Sequence, residues 1–251
     1  MTKFHLNQLR SLTLFIGLAS ILSAQANEAV VINSFSTKYT FVVDNMDLGF
    51  VTRTMRYNSD GSYRFESFSE ATGILSFFVS DKILEKSIGK HIKDSLRPDT
   101  YVYQRSEGKK DRHVKLSFDW DKNRVTNKIN GDLWNMTVPT GALDKLIYQY
   151  VMMLDLQKGQ TTLEYKIADG GRLKDYQFDL VGKETIDTPL GSFKTVKYKR
   201  VNDKRGTVIW FAERLNYLPV RIEQQDNGND LKMVVTRVKG LKADARKKIQ
   251  D

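Results

Sequence analysis

Apolar and polar residues alternate with a period of two through most of this chain, the pattern of strands buried on one face. Lys38–Asp44 sets Tyr39, Phe41 and Val43 on one face, and Leu48–Tyr57 resumes as a strand after Asn45-Met46-Asp47. Asn58-Ser59-Asp60-Gly61 predicts a hairpin turn, because Asp-Gly readily takes positive φ, and Ser62–Ser69 follows with Tyr63 and Phe65 together. His113–Trp120 alternates Val114, Leu116, Phe118 and Trp120 against His113, Lys115 and Ser117. Turns at 121–123 and Asn130-Gly131 bound the strands Arg124–Ile129 and Leu133–Val138. Thr161–Ala168 carries Leu163, Tyr165 and Ile167 on one face, Asp169-Gly170-Gly171 turns, and Tyr176, Phe178 and Leu180 share the next face. Phe193–Arg200, Thr207–Ala212, Pro219–Gln225 and Leu231–Val238 complete the series. Strands joined by short polar turns predict an antiparallel meander, not βαβ units.

Two stretches break the period. Leu75–Asp94 mixes charged residues with Ile83, Leu84, Ile88 and Ile92 at roughly helical spacing, and predicts a strand end followed by a helix or irregular lid. Gly141–Leu156 is the stronger helix. Thr140 is placed to cap it, Leu143, Leu146, Ile147, Tyr150, Val151 and Leu154 form an apolar stripe, and Gly159 stops it. The predicted fold class is all-β with minor α: a strongly curved antiparallel sheet or incomplete β-barrel, with this helix packed on the concave face. Residues 27–241 read as a single domain and 242–251 as a charged tail.

The first 26 residues read as a secretory signal peptide. Lys3, His5 and Arg10 precede an apolar run from Leu12 to Leu22, too short to span a bilayer, and Ala24-Gln25-Ala26 supplies the small-x-small cleavage pattern. The mature chain then starts at Asn27 in the periplasm, with no later transmembrane segment. It is not lipidated through an N-terminal Cys, because the chain has none. Zero Cys also removes thiol catalysis, thiolate metal sites and redox roles. Loss of Lys3 and Arg10 lowers the net charge from +10 to +8, with basic density at Lys194–Arg205 and Lys239–Lys248. This excess is either a well-hydrated surface or an attraction to anionic lipid, lipopolysaccharide or cell-wall polymer. No nucleic-acid-binding motif accompanies it.

Catalytic signatures are missing. His91 and His113 form no ligand-spaced cluster, so no metal and no cofactor is expected. No nucleophile elbow, phosphate loop or dinucleotide fingerprint occurs. Asp119 and Asp121, flanking Trp120, are the best carboxylate pair for glycan hydrolysis, though turns use the same residues.

From Gly182 to Phe193 the chain reads GKETIDTPLGSF; Trp210-Phe211-Ala212 and Leu218-Pro219-Val220-Arg221-Ile222 follow. This order resembles the exported proteobacterial family called domain of unknown function 3108, and the resemblance extends roughly from Tyr39 to Val238. It implies no activity. Its architecture is similar to the half-barrel lipid and lipoprotein carriers of the LolA/LolB group, which is fold analogy only. Trp210 and Phe211 point to opposite faces of one strand, so only one can be core; the other is exposed, covered by the helix or part of a contact site, and Arg221 faces solvent.

Three readings follow. The first is a non-catalytic periplasmic protein that binds an apolar or amphipathic envelope component: a lipid, a lipoprotein acyl chain or a glycolipid. Its expected lining is Phe41, Phe118, Trp120, Trp134, Leu146, Tyr150 and Trp210. The second is a scaffold of envelope assembly with a filled core and a protein partner, contacted through Tyr198, Lys199 and Arg200. The third is the glycan hydrolase. An apolar cavity of several hundred cubic ångströms favours the first; a packed interior favours the second.

Overall fold

The computed structural model describes residues 34–43, 46–72, 82–93, 95–106, 111–226 and 228–241. The leader-like segment, the first part of the 75–94 stretch and the tail 242–251 lie outside the described residues.

The predicted alternation becomes two meanders. In the first, β1 (Phe35–Val43), β2 (Met46–Tyr57), β3 (Ser62–Ala71), β4 (Lys82–Ile92), β5 (Ser95–Ser106), β6 (Arg112–Asp119), β7 (Arg124–Ile129) and β8 (Asp132–Thr137) pair in sequence order. The second holds β9 (Leu143–Asp144), β10 (Leu163–Asp169), β11 (Arg172–Thr188), β12 (Gly191–Arg200), β13 (Val208–Ala212), β14 (Leu218–Asp226) and β15 (Asn229–Lys239), with the helix α1 (Tyr148–Gln157) between β9 and β10. Pairing of β1 with β15 fuses both into one 15-stranded sheet whose edges are β8 and β9. Among the described residues every ladder is antiparallel except the short β9–β10 pair.

Only Val138–Ala142 separates the two edge strands in sequence. Five residues reach at most about 20 Å, so the sheet must curl until its edges approach. Trp134 on β8 marks the seam: its Nε1 donates to the Gly171 carbonyl oxygen at 3.4 Å. Gly171 has φ +83°, and a Cβ there would lie 2.0 Å from the Trp134 ring. Only glycine satisfies both demands. No ladder joins β8 to β9, so the sheet stays open rather than closing into a barrel.

The helix fills the concave side. Tyr150 stacks on Phe35 of β1 at 5.6 Å and lies 6.1 Å from Phe65 of β3. Tyr148 meets Tyr176 and Phe178 of β11 at 5.2 and 6.1 Å. A single helix reaches strands so far apart in the sheet only if the sheet wraps around it. Its boundary differs from the expected one. Leu143–Asp144 is drawn into β10 as a strand, and α1 begins at Tyr148, not near Gly141. Thr140 therefore caps nothing. Asp144 Oδ1 instead accepts the backbone N–H groups of Leu146 and Ile147 at 2.9 Å each. Gly159 (φ +78°) ends the helix, its N–H bonded to the Leu156 carbonyl.

The helix or lid expected within Leu75–Asp94 is also corrected: its described part is the strand β4. The inward positions of β4 include Glu85, Ser87 and Gly89, opposite Ser67, Phe65 and Tyr63, with Ile83 the apolar residue of that face, while Leu84 and Ile88 face outward. The alternation runs opposite to that of an ordinary half-buried strand.

Candidate functional site

The helix leaves part of the concave face uncovered, and the remaining space is an open cleft of about 810 Å³. Its apolar floor is a single row across four adjacent strands. Phe41 of β1 faces Met233 of β15, Met233 faces Ile222 of β14, and Ile222 faces Ile209 of β13. With strands about 4.8 Å apart, the row is about 14 Å long.

Leu231 adjoins this row, and the rest of the lining mixes uncharged polar and aromatic residues with many charged ones. Arg53, Lys145, Arg172, Lys174, Arg200, Lys204 and Arg205 outnumber Glu85, Asp169 and Asp203. Each acid is engaged: Glu85 with Lys145 at 3.0 Å, Asp169 with Lys174 at 2.6 Å, and Asp203 with Arg200 at 3.5 Å. Asp203 also accepts the backbone N–H of Thr207. Its pKa is lowered: burial opposes ionisation, but the bonds from Thr207 and the charge of Arg200 prevail. The Arg200 guanidinium lies 3.3 Å from the centre of the Tyr176 ring, fixed in place against the cleft wall.

Arg53 is the exception among these cations. It occupies an inward position of β2 and is only 8% exposed. Nη1 donates to Gln149 Oε1 on α1 at 2.7 Å, and the guanidinium lies 5.4 Å from the Tyr39 ring centre. Its Nε has no acceptor. No sequence expectation included Arg53, although Val51-Thr52-Arg53-Thr54-Met55 puts an arginine in register with two inward apolar residues.

The expected lining residues disperse. Phe41 lines the cleft. Leu146 and Tyr150 are buried in the core beneath it. Phe118 and Trp120 stack on each other at 5.3 Å, where the Trp120 Nε1 donates to the Pro98 carbonyl at 2.8 Å. Trp134 sits on the seam. Trp210 is 4% exposed on the outer face, between Lys197 and Arg221 and bonded through Nε1 to Glu184 at 2.7 Å. Both Trp210 and Phe211 are therefore buried, contrary to expectation, because two cross-strand cations cover the outer ring. Arg221 is correspondingly folded onto Trp210 rather than extended into solvent. Of the expected contact trio, Tyr198 is buried, Lys199 is exposed, and Arg200 lies half-buried on Tyr176.

Asp119 is ion-paired to Lys122 at 3.3 Å and Arg124 at 3.5 Å, and accepts the Lys122 backbone N–H. Asp121 is exposed in the same turn. A carboxyl held ionised in a turn has the wrong protonation state for a general acid. Among the described residues, no group of three or more His, Cys, Asp or Glu side chains could hold a metal ion, and no helix is long and apolar enough to cross a membrane.

The sequence family described as a protein of unknown function (DUF3108) matches residues 34–236. The chain belongs to the DUF3108 family. No curated protein matches this DUF3108 chain significantly. Among solved structures it is similar to a β-barrel-like protein of domain of unknown function DUF1849 from Brucella abortus. That likeness has a TM-score of 0.55 at 9% identity and covers 85% of this chain and 100% of the other. It shows a shared fold. Weaker likenesses are a candidate lipoprotein from Parabacteroides distasonis (TM-score 0.31, 12% identity, 83% and 96% covered) and the MucA/MucB complex of Pseudomonas aeruginosa (TM-score 0.18, 11% identity, 86% and 96% covered).

Proposed function

We propose that this DUF3108 protein is a non-catalytic periplasmic protein that holds an amphipathic envelope component in the concave cleft. The observation that carries this reading is the two-sided lining: the apolar row Phe41–Met233–Ile222–Ile209 beside a cationic wall. An apolar chain laid along that row gains about 0.8 kcal/mol per buried CH₂, while the cations meet a polar end. The leader-like first 26 residues support delivery to the periplasm. The interior beneath the helix is packed with aromatic and aliphatic side chains, which is what the scaffold reading expects; the amphiphile reading rests on the open groove instead of an enclosed apolar cavity.

The test is native mass spectrometry, with lipid extraction, of the protein purified from a Gram-negative periplasm. A reproducible amphiphile adduct is expected, lost in Met233→Lys, a half-buried row position, when the melting temperature shows that variant to be folded. A clean unliganded mass that stays clean on titration with detergent-solubilised lipid would refute the reading.

A further inference from the structure

Three buried polar residues of the first meander form a row with the half-buried Glu85. Thr37, Arg53, Ser67 and Glu85 face one another across β1 to β4. Glu85 is the only carboxylate in that row, and it stands two strands from Arg53, about 10 Å away. It is already committed to Lys145 and to the Tyr101 hydroxyl at 2.5 Å. Arg53 makes no ion pair among the described residues, yet it is more than nine-tenths buried with an unsatisfied Nε. A buried charge in this condition is costly unless a counter-charge arrives. Arg53 lines the cleft, which Arg172, Arg200 and Lys204 also line from β11, the end of β12 and the following loop.

Resting on the amphiphile reading above, we infer that Arg53 is the anion-recognition residue of the cleft, and that the anion is a phosphoryl group. A planar carboxylate accepts one guanidinium fork along a single edge. Cations here come from four separate parts of the chain, and a tetrahedral phosphoryl group offers oxygens in each direction. Its charge of about −1.5 to −2 as a monoester also offsets more of the cationic excess. The phosphate end lies at Arg53, and the apolar part extends over Met233 and Ile222.

The test is isothermal titration calorimetry on the full chain with three probes: dihexanoylphosphatidate, dihexanoylglycerol and inorganic phosphate. Dihexanoylphosphatidate is expected to bind at least about tenfold tighter than dihexanoylglycerol. Arg53→Gln is expected to erase that difference, and Arg53→Lys to restore part of it. Arg53→Met, which keeps the stem but removes the unpaired charge, is expected not to lower the melting temperature; a purely structural arginine would lower it. If Arg53→Gln does not fold, Arg53→Lys carries the test, with a severalfold loss for phosphatidate alone. Equal affinity for the two lipids, or a preference that survives Arg53→Gln, would overturn the inference and leave the amphiphile reading standing. Inorganic phosphate binding as tightly as phosphatidate, in an Arg53-dependent way, would keep the anion site and remove the lipid. Binding of none of the probes would overturn both.

Discussion

Asp144 is fully buried at the foot of the helix, where its Oδ2 accepts the Ser87 hydroxyl at 2.6 Å and Oδ1 serves two backbone N–H groups. Burial dominates and pushes its pKa up to about 6, against the lowering by those bonds; the nearby charge of Glu85 adds to the rise. A carboxyl that binds its proton more tightly folded than unfolded favours the folded state at low pH. Its contribution is full below about 3.8 and is lost as pH rises through about 6, a span of about 3 kcal/mol. Asp144→Asn keeps an acceptor for the helix foot and a donor for Ser87 but cannot titrate. The difference in urea midpoint between the wild type and Asp144→Asn should therefore change between pH 4 and 7, with the wild type losing ground as pH rises. An invariant difference would mean that Asp144 ionises normally. Residues such as Asp144 and Arg53 are illegible in composition, since their roles depend on which strand lies opposite. Register alone would have singled out Arg53, inward between Val51 and Met55. Phe41 could be placed in the cleft from its phase, but Leu146 and Tyr150 could not be told from core, because a lining aromatic and a core aromatic have the same pattern.

The helix α1 was legible as an element and misplaced as a boundary. Its predicted stripe is buried, but so are Tyr148, Met152, Met153 and Leu156 on its other sides. A helix held within a curled sheet keeps only a few half-buried polar positions, Gln149, Asp155 and Gln157, so the stripe that identified it understated its burial. Met152 is fully buried, and Met152→Ala should cost about 2–4 kcal/mol by the cavity it leaves, read as a shift in urea midpoint with unchanged slope. The strand β4 was missed for the converse reason. Its inner face carries Glu85, Ser87 and Gly89, which meet Lys145, Asp144 and a β-bulge rather than apolar core. A Cβ at Gly89 would lie 2.0 Å from the Arg97 carbonyl oxygen. Strands whose inner face serves a polar site break the pattern by which strands are found.

For the molecule as a whole, the antiparallel meander and its curvature followed from the alternation and the short turns, whereas the fusion of two meanders through β1 and β15 did not. Nothing local in Lys38–Asp44 or Leu231–Val238 specifies the other as partner. The seam at the far side is the weakest part of this closure, since it rests on Trp134 against Gly171 rather than on a ladder. Gly171→Ala, at φ +83° and in contact with the indole, should cost about 1–3 kcal/mol. Amide exchange in β8 (Asp132–Thr137) should accelerate while β1 to β3 keep their protection. Equal acceleration throughout would mean the seam is not a separate unit.

Pairing of β1 with β15 has a further consequence for how the chain is made. Thr37 faces Val238 across the ladder, so β1 receives its second neighbour only after about 200 further residues have left the ribosome. Until then both halves keep an unpaired flank at what will become the centre of the sheet, and such flanks recruit other chains. The order of synthesis and the order of assembly are opposed in this topology. The middle of the sheet is finished last, after a loop closure of about 200 residues, and the concave cleft, with walls drawn from both halves, exists only once that closure is complete.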